Sequence, residues 1–328
     1  MDRTEKLADP TLISPVLVTG TQRSGTTLLY KILAGSKAYW AHNEAYRIHS
    51  LVFDARSPQQ KSELDATLLA CFGEKVSRHF AFDSAGDRVQ AFATMMRRTA
   101  EDRGRANWCL KDPRITYFLS QYAARLPDVK FVIIVRDPRA VCRSYMQSTG
   151  YNVGRPGNWL AAAERWQQEV TLQLEFAAQN PSRTLVIHYE SLISHFLIEL
   201  KRLCEFLSIN CDPEMAHYYK SPAQIDINER NLNVLRPPDP TKIHAWRTRL
   251  TARQVSTIET VARTTMEKLG YTSECPPRRI SSAVRLAARM HDHLCREYRW
   301  QHYKAAKLLR GWGDVSSSGD AGHVAPKR

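Results

Sequence analysis

The chain lacks several features that would assign it to a common class of protein. Its seven cysteines are an odd number and form no CxxC pair, which argues against a disulfide scaffold or a zinc ribbon. No run of about 18 apolar residues occurs, and the first residues, MDRTEKLADP, lack the apolar core of a signal peptide. These absences predict a reduced, cytoplasmic protein, and 328 residues are enough for a sizeable core.

Acidic residues are also scarce relative to basic ones. The formal net charge is +14, which suits an anionic small ligand, a membrane surface or a nucleic acid, or else a basic protein with no special partner. No recognised nucleic-acid-binding motif is visible, so we expect no nucleic acid partner.

Apolar runs alternate with helical patterns along most of the chain. The run 15–20 ends in glycine and precedes a helix start at 26–33, and the run 131–135 is continuous and β-branched, as in a strand covered on both faces. Further strands are predicted at 108–111 and 185–187, with helices at 115–126, 159–178, 191–207 and 251–269, and a long loop at 221–248. This alternation predicts an α/β fold with a central parallel sheet of four to five strands flanked by helices in three layers.

A turn between the first strand and helix has the composition of an anion cradle. Residues 20–27 read GTQRSGTT, and backbone N–H groups in such a turn converge on one point, where the helix dipole adds partial positive charge. The lysine of a Walker A loop is missing, since Thr26 follows Gly25 and the cation, Arg23, precedes it. A magnesium-dependent triphosphatase is therefore disfavoured, and an ordinary polar turn is the alternative.

A second anion site is predicted after the strand 131–135. Arg136 follows that strand directly, at the edge where ligands bind in open α/β sheets, and Ser144 lies eight residues later in the next helix. A guanidinium can bind phosphate through two hydrogen bonds. Asp137 is a metal ligand in a kinase interpretation, a residue that orients arginines, or one half of a surface salt bridge.

Together the two segments, QRSGTTLL and VIIVRDPRAVCRS, resemble the sulfotransferases that use 3′-phosphoadenosine-5′-phosphosulfate (PAPS), whose fold is similar to that of P-loop proteins. The arginine in the first loop is closest to bacterial and tyrosylprotein-type members. The resemblance covers roughly residues 14–270 and includes KDP at 111–113 and VIHYESL at 186–192. It implies that the 5′-phosphosulfate is held by Arg23, Ser24, Gly25, Thr26, Thr27 and Leu28. It implies further that Arg136 and Ser144 hold the 3′-phosphate and that Tyr189 lies near the adenine.

The same resemblance implies the catalytic residues. Glu44, 21 residues after Arg23, corresponds to the family's base, while Lys111 and Arg23 would stabilise charge on the transferring group and the leaving phosphate. The alternatives are a surface glutamate at position 44 and, for Lys111, a salt bridge to Asp112 or Glu44. His42 and His79 are rival bases, because other members use a histidine. No metal is expected, since cations of the protein replace the magnesium of phosphoryl transfer.

Cytosolic members of the family carry a cofactor-binding loop near their C-terminus with the sequence RKGxxGDWK, and this sequence is absent here. Candidates in its place are Asn231, Asn233, Arg236, Lys242 and Trp246.

The last part of the chain predicts one long helix. Apolar residues recur at helical spacing over 280–312 with basic residues between them, which fits a helix packed on the domain or one lying on an anionic membrane. We therefore expect a catalytic domain over 1–275, a basic amphipathic helix over 276–313 and a disordered tail over 314–328. The predicted activity is sulfuryl transfer from PAPS to a hydroxyl of a carbohydrate, lipid or natural product, leaving the doubly phosphorylated product PAP. The alternatives are a nucleotide or small-molecule kinase and a non-enzymatic basic module that binds membranes or nucleic acid.

Overall fold

The computed structural model describes most of the chain. The described residues are 13–45, 47–54, 57–77, 79–80, 87–148, 154–221 and 232–309. Two compact units are present. Unit 1 comprises residues 1–135 and 172–238, and unit 2 comprises residues 136–171 and 239–328. The domain limits at 275 and 313 stay a prediction.

A single five-stranded parallel sheet forms the centre of unit 1. Its strands are β1 (Val16–Thr19), β2 (Tyr39–Asn43), β3 (Asn107–Lys111), β4 (Lys130–Val135) and β5 (Thr184–His188). The spatial order is β2-β3-β1-β4-β5, and every neighbouring pair is parallel. This confirms the predicted fold class of a parallel sheet with flanking helices.

The central strands are the ones whose sequences are continuously apolar. All four residues of β1 are buried, as are the five residues after Lys130 in β4. A strand with no polar face must be covered on both sides, and therefore occupies the middle of the sheet. Because β1 pairs with β3 on one side and β4 on the other, the sheet order reverses beside β1, and ligands bind at such a point in open α/β sheets.

Thirteen α-helices occur among the described residues. In chain order they are α1 (Thr26–Ala34), α2 (Ile48–Asp54), α3 (Pro58–Phe72), α4 (Glu74–Ser77), α5 (Arg88–Glu101), α6 (Leu119–Arg125), α7 (Pro138–Met146), α8 (Trp159–Gln179), α9 (Tyr189–Ser194), α10 (Phe196–Leu207), α11 (Pro213–Ala216), α12 (Ala252–Lys268) and α13 (Ser282–Leu309). Short 3-10 turns lie at 113–118, 181–183, 218–220, 232–235 and 240–242. None of the described helices is both long enough and apolar enough to cross a membrane.

Some elements differ from their predictions for local reasons. The helix predicted over 115–126 begins as a 3-10 turn, because Pro113 and the capping side chain of Asp112 start the turn two residues earlier. The helix predicted over 191–207 is two helices, α9 and α10, separated by non-helical His195. Strand β2 was not predicted, since only its first residue is buried and its sequence shows no apolar run.

Candidate active site

The loop after β1 is shaped by two glycines that pack closely against their neighbours. A Cβ on Gly20 would collide with the carbonyl oxygen of Ile134 and lie 2.8 Å from its Cγ2. Gly25 has a φ of 105°, and a Cβ there would lie 2.6 Å from Cδ2 of Tyr189. A side chain has no room at either position. At Gly25 the positive φ is a second reason for glycine, because glycine adopts it without strain.

The same loop presents unused hydrogen-bond donors. The turn is closed by the Ser24 N–H, which donates to the carbonyl oxygen of Thr21 at 3.0 Å. The Ser24 hydroxyl is fully buried and has no hydrogen-bond partner among the residues that the structure describes. Gly25 is the N-cap of α1 and no side chain caps that helix. A buried hydroxyl beside an uncapped helix N-terminus fits the oxygens of a bound phosphate or sulfate group.

The remaining residues of the predicted phosphosulfate site take different positions. Thr26 is buried in the first turn of α1, whereas Thr27 is half-buried. Leu28 is buried, and its N–H already donates to the carbonyl oxygen of Gly25 at 2.9 Å. The backbone of Leu28 is thus engaged within the helix.

Glu44 and Lys111 form an ion pair at the carboxyl edge of the sheet. Lys111 is the last residue of β3 and lies opposite Val18 of β1 and Asn43 of β2 in the ladders. Its Nζ is 2.7 Å from Oε1 of Glu44, and the Glu44 N–H donates to the Lys111 carbonyl oxygen at 2.7 Å. The Lys111 side chain is 1% exposed and that of Glu44 is 29% exposed. A buried ammonium therefore contacts a partly accessible carboxylate at the edge where the loop after β1 also begins.

Two of the predicted catalytic residues, Arg23 and Glu44, have a backbone conformation that is rare for residues with a side chain. Among the described non-glycine residues, three have a positive φ: Arg23 at 73°, Glu44 at 58° and Ser208 at 59°. Such conformations are costly for residues with a side chain and concentrate at functional sites. Two of the three are residues predicted to be catalytic.

The carboxylate of Asp112 binds the backbone next to Glu44. It accepts a hydrogen bond from the Ala45 N–H at 3.0 Å, lies 3.2 Å from Nε2 of His49, and pairs with Arg114 Nε at 3.2 Å. Burial by itself would raise the pKa of Asp112, but Arg114 and His49 outweigh it, and the pKa lies well below its usual value. Asp112 therefore stays ionised and fixes the backbone next to Glu44.

The two rival histidines, His42 and His79, both make contacts within the protein. The His42 ring stacks on Phe72 with centroids 4.2 Å apart, and burial lowers the pKa of His42 to about 4. His79 Nε2 is held by Asp102 at 2.8 Å.

Tyr189 lies against the phosphate loop. It is the first residue of α9, directly after β5, and its ring packs on Gly25. The structure therefore places Tyr189 beside the N-terminus of α1, and its implied position near the adenine stays a prediction.

In unit 2, Arg136 and Ser144 belong to a basic segment. The carbonyl oxygen of Arg136 accepts a hydrogen bond from the Trp166 indole at 3.0 Å, and Ser144 lies on α7. The pKa of Arg143 is lowered, first by burial and then by the positive charges of Arg249 and Arg136. The charge of Arg143 thus interacts with those of Arg136 and Arg249, and positive charges that lie near one another suit an anionic ligand. The sequence did not single out Arg143 or Arg249, since arginine is common throughout the chain.

A buried charge cluster fixes the start of α7. Arg139 donates to both Asp137 oxygens and to Glu259 Oε1, with its shortest distances at 2.7 Å. Its guanidinium also stacks over the Trp246 ring at 3.9 Å. Asp137 is thus the partner that orients an arginine, one of its three predicted interpretations.

The candidates for the missing cofactor loop have other contacts. Trp246 is buried, the carbonyl oxygen of Arg236 accepts from Tyr218, and Lys242 pairs with Asp239 at 3.3 Å. Asn231 and the side chain of Asn233 lie outside the described residues.

Comparisons with known proteins agree with this geometry. The chain is 26% identical over 224 residues to a putative protein-tyrosine sulfotransferase of Caenorhabditis briggsae, covering 66% of this chain and 74% of the relative. It is 21% identical over 310 residues to protein-tyrosine sulfotransferase A of Caenorhabditis elegans, covering 92% and 78% of the two chains.

Structural similarity extends over a comparable part of the chain. The sulfotransferase domain from the curacin biosynthetic pathway superposes with a TM-score of 0.59 at 18% identity, over 79% of this chain and 98% of that one. The sequence profile described as "Sulfotransferase family" matches residues 15–213, which is more than half of the chain. The chain therefore belongs to the sulfotransferase family and transfers a sulfuryl group to an acceptor.

Proposed function

We propose that the protein transfers the sulfuryl group of PAPS to a hydroxyl of its acceptor, with Glu44 as the base. The observation that carries the proposal is the Glu44–Lys111 ion pair of 2.7 Å at the carboxyl edge of the sheet. It joins two residues 67 positions apart, beside the strand that leads into the anion-binding loop. A carboxylate, a buried cation and a phosphate loop are the groups that in-line sulfuryl transfer needs.

Each residue has a defined part in the reaction. The acceptor oxygen bonds to sulfur as the bond from sulfur to the leaving phosphate oxygen breaks, and Glu44 takes the hydroxyl proton. Lys111 sits at the transferring group, where its charge stabilises the developing negative charge. Arg23 offsets the charge on the departing phosphate. These cations replace a metal in the proposal.

The donor loop supports the choice of PAPS. The buried Ser24 hydroxyl and the N-terminus of α1 are suited to the 5′-phosphosulfate, together with Thr26 and Thr27. We retain the prediction that Arg136 and Ser144 of unit 2 bind the 3′-phosphate, and we add Arg143 because its charge interacts with that of Arg136.

The test replaces Glu44 with glutamine, which keeps its size and its capacity to bond to Lys111. The expected result is a fall in turnover of about 10²- to 10⁴-fold, because the proton acceptor is lost, while the affinity for PAP changes less than about twofold. Turnover is followed with sulfur-35 PAPS and a panel of phenol, sugar and lipid acceptors, and PAP binding by calorimetry.

Glu63→Gln is the matched control, since Glu63 is also a glutamate in an ion pair, with Arg47 at 2.5 Å. Its turnover should match that of the unchanged protein. Equal rates for Glu44→Gln and the control would rule out Glu44 as the base. Phosphoryl transfer from magnesium ATP, with none from PAPS, would favour a kinase and contradict the donor assignment.

A further inference from the structure

Helix α13 packs onto the rest of unit 2 through its polar side. Asp292 accepts a hydrogen bond from the Gly157 N–H at 2.6 Å, and Asn158 Nδ2 donates to the Ala288 carbonyl oxygen at 2.8 Å. Cys295 fits against Gly157 so closely that a Cβ there would lie 2.9 Å from the Cβ of Cys295. Ala288, Asp292 and Cys295 are spaced by four and three residues, and so share one face of the helix.

The apolar residues of α13 point the other way. An outer stripe of four large apolar side chains recurs every four residues, and each is more than half exposed: Leu286 61%, Met290 59%, Leu294 65% and Tyr298 69%. Sequence patterning alone favours burial of this face against the domain. The structure instead leaves it outward, and a continuous apolar stripe of this kind marks an interaction surface.

The positive charge of residues 278–307 distinguishes between a second copy of the helix and an anionic surface as the partner of the outer stripe. Residues 278–307 contain eight lysines and arginines and two acidic residues, a net charge of +6 with histidines neutral. Asp292, one of the two acidic residues, is already engaged by Gly157 and by Arg296 at 3.0 Å. A second copy of residues 278–307 would bring +6 against +6, whereas an anionic surface is attracted to this segment.

Aromatic residues lie near the end of the outer stripe. The Trp300 ring stacks on Tyr303 with centroids 5.7 Å apart, and Lys304 Nζ lies 5.2 Å from the Trp300 centroid. Amphipathic rings beside basic side chains suit the boundary between lipid headgroups and acyl chains.

We propose that α13 is a membrane-binding helix that lies in the plane of an anionic lipid bilayer. Leu286, Met290, Leu294 and Tyr298 enter the headgroup and acyl boundary. Arg289, which is 68% exposed and pairs with Glu164 at 3.4 Å, lies beside the stripe and contacts anionic headgroups as well. The opposite face keeps its polar contacts with unit 2. This surface is independent of the proposed chemistry of Glu44, and it brings the enzyme to acceptors at a membrane.

The experiment measures co-sedimentation of the full chain with vesicles. The unchanged protein should pellet with vesicles of phosphatidylcholine containing about 30% phosphatidylserine, and remain in the supernatant with phosphatidylcholine alone, since the charge contribution is needed. The double substitution Met290→Gln with Leu294→Gln should weaken binding by about tenfold or more, because two large apolar side chains no longer insert. Both positions are exposed, so the fold is retained, and unchanged PAP affinity and circular dichroism check this.

A matched control comes from α10. Leu197 and Ile198 are 69% and 68% exposed, and Leu197→Gln with Ile198→Gln removes as much exposed apolar surface elsewhere on the protein. This variant should pellet like the unchanged protein. Equal losses in both double variants, or no pelleting of the unchanged protein with anionic vesicles, would overturn the proposal. A dimer that Met290→Gln with Leu294→Gln abolishes, without any vesicle binding, would overturn it in favour of self-association.

Discussion

Replacing Glu259 with glutamine tests the buried charge cluster that holds the start of α7. Glu259 lies on α12 and has no exposed side-chain surface. It accepts hydrogen bonds from Arg139 Nη1 at 2.7 Å, from the Glu274 N–H at 3.0 Å and from the Cys275 N–H at 2.8 Å. Glutamine has the same shape but only one acceptor oxygen, so its amide group would face one of these donors.

The expected loss follows from the contacts. Removing one partner of a buried ion pair costs about 3–5 kcal/mol, because the other charge remains buried. Arg139 retains its hydrogen bonds to both Asp137 oxygens, so we expect a value near the lower limit, about 3 kcal/mol. With a urea dependence of about 3 kcal/mol per molar, the unfolding midpoint falls by about 1 M.

The assay is urea unfolding followed by circular dichroism, with Glu267→Gln as the control. Glu267 lies on the same helix, is 61% exposed and pairs with Arg263 at 3.9 Å. Such a surface pair contributes less than about 0.5 kcal/mol. Similar midpoints for the two variants would refute the idea that the buried cluster stabilises unit 2.

Three further results are expected. Gly25→Ala should weaken PAP binding by about tenfold or more in calorimetry, since its φ of 105° is strained for alanine and its methyl group would meet the Tyr189 ring; unchanged affinity would contradict the close packing of the loop. The lowered pKa of the Asp112 carboxyl stabilises the folded protein above the unfolded-state pKa of about 3.9, and this stabilisation is lost as the pH falls below that value. Between about pH 5 and pH 3, the melting temperature of Asp112→Asn should therefore change less than that of the unchanged protein. Parallel curves for the two proteins would argue against this. Arg136→Ala should weaken PAP binding by about tenfold or more but barely change binding of adenosine 5′-monophosphate, and equal losses for both ligands would exclude a contact with the 3′-phosphate.

Much of the fold could be predicted because the signals are local. The continuous apolar sequences of β1 and β4 specify strands covered on both faces, and the glycine-rich turn at 20–25 specifies a tight strand-to-helix connection. The edge strand β2 carries no such signal, because pairing with β3 through the backbone, rather than burial of its side chains, makes it a strand.

Part of the candidate site could also be predicted, through the two motifs. Arg23 and Arg136 belong to short segments whose residues are neighbours in the chain, so their type and spacing indicate an anion site. Arg143 and Arg249 could not be found in this way, because 106 residues separate them and only packing in unit 2 brings their charges within reach of each other.

The sequence by itself determined the positions of four of the five strands, the glycine-rich loop after β1 and the amphipathic character of α13, since each depends on residues close together in the chain. Only the tertiary structure decided that Glu44 and Lys111 meet at 2.7 Å, because the parallel register of β2 and β3 aligns their ends. It also decided which face of α13 is outward. Amphipathic spacing defines two faces of a helix, but the polar contacts of Asp292 and Asn158 select the one that packs.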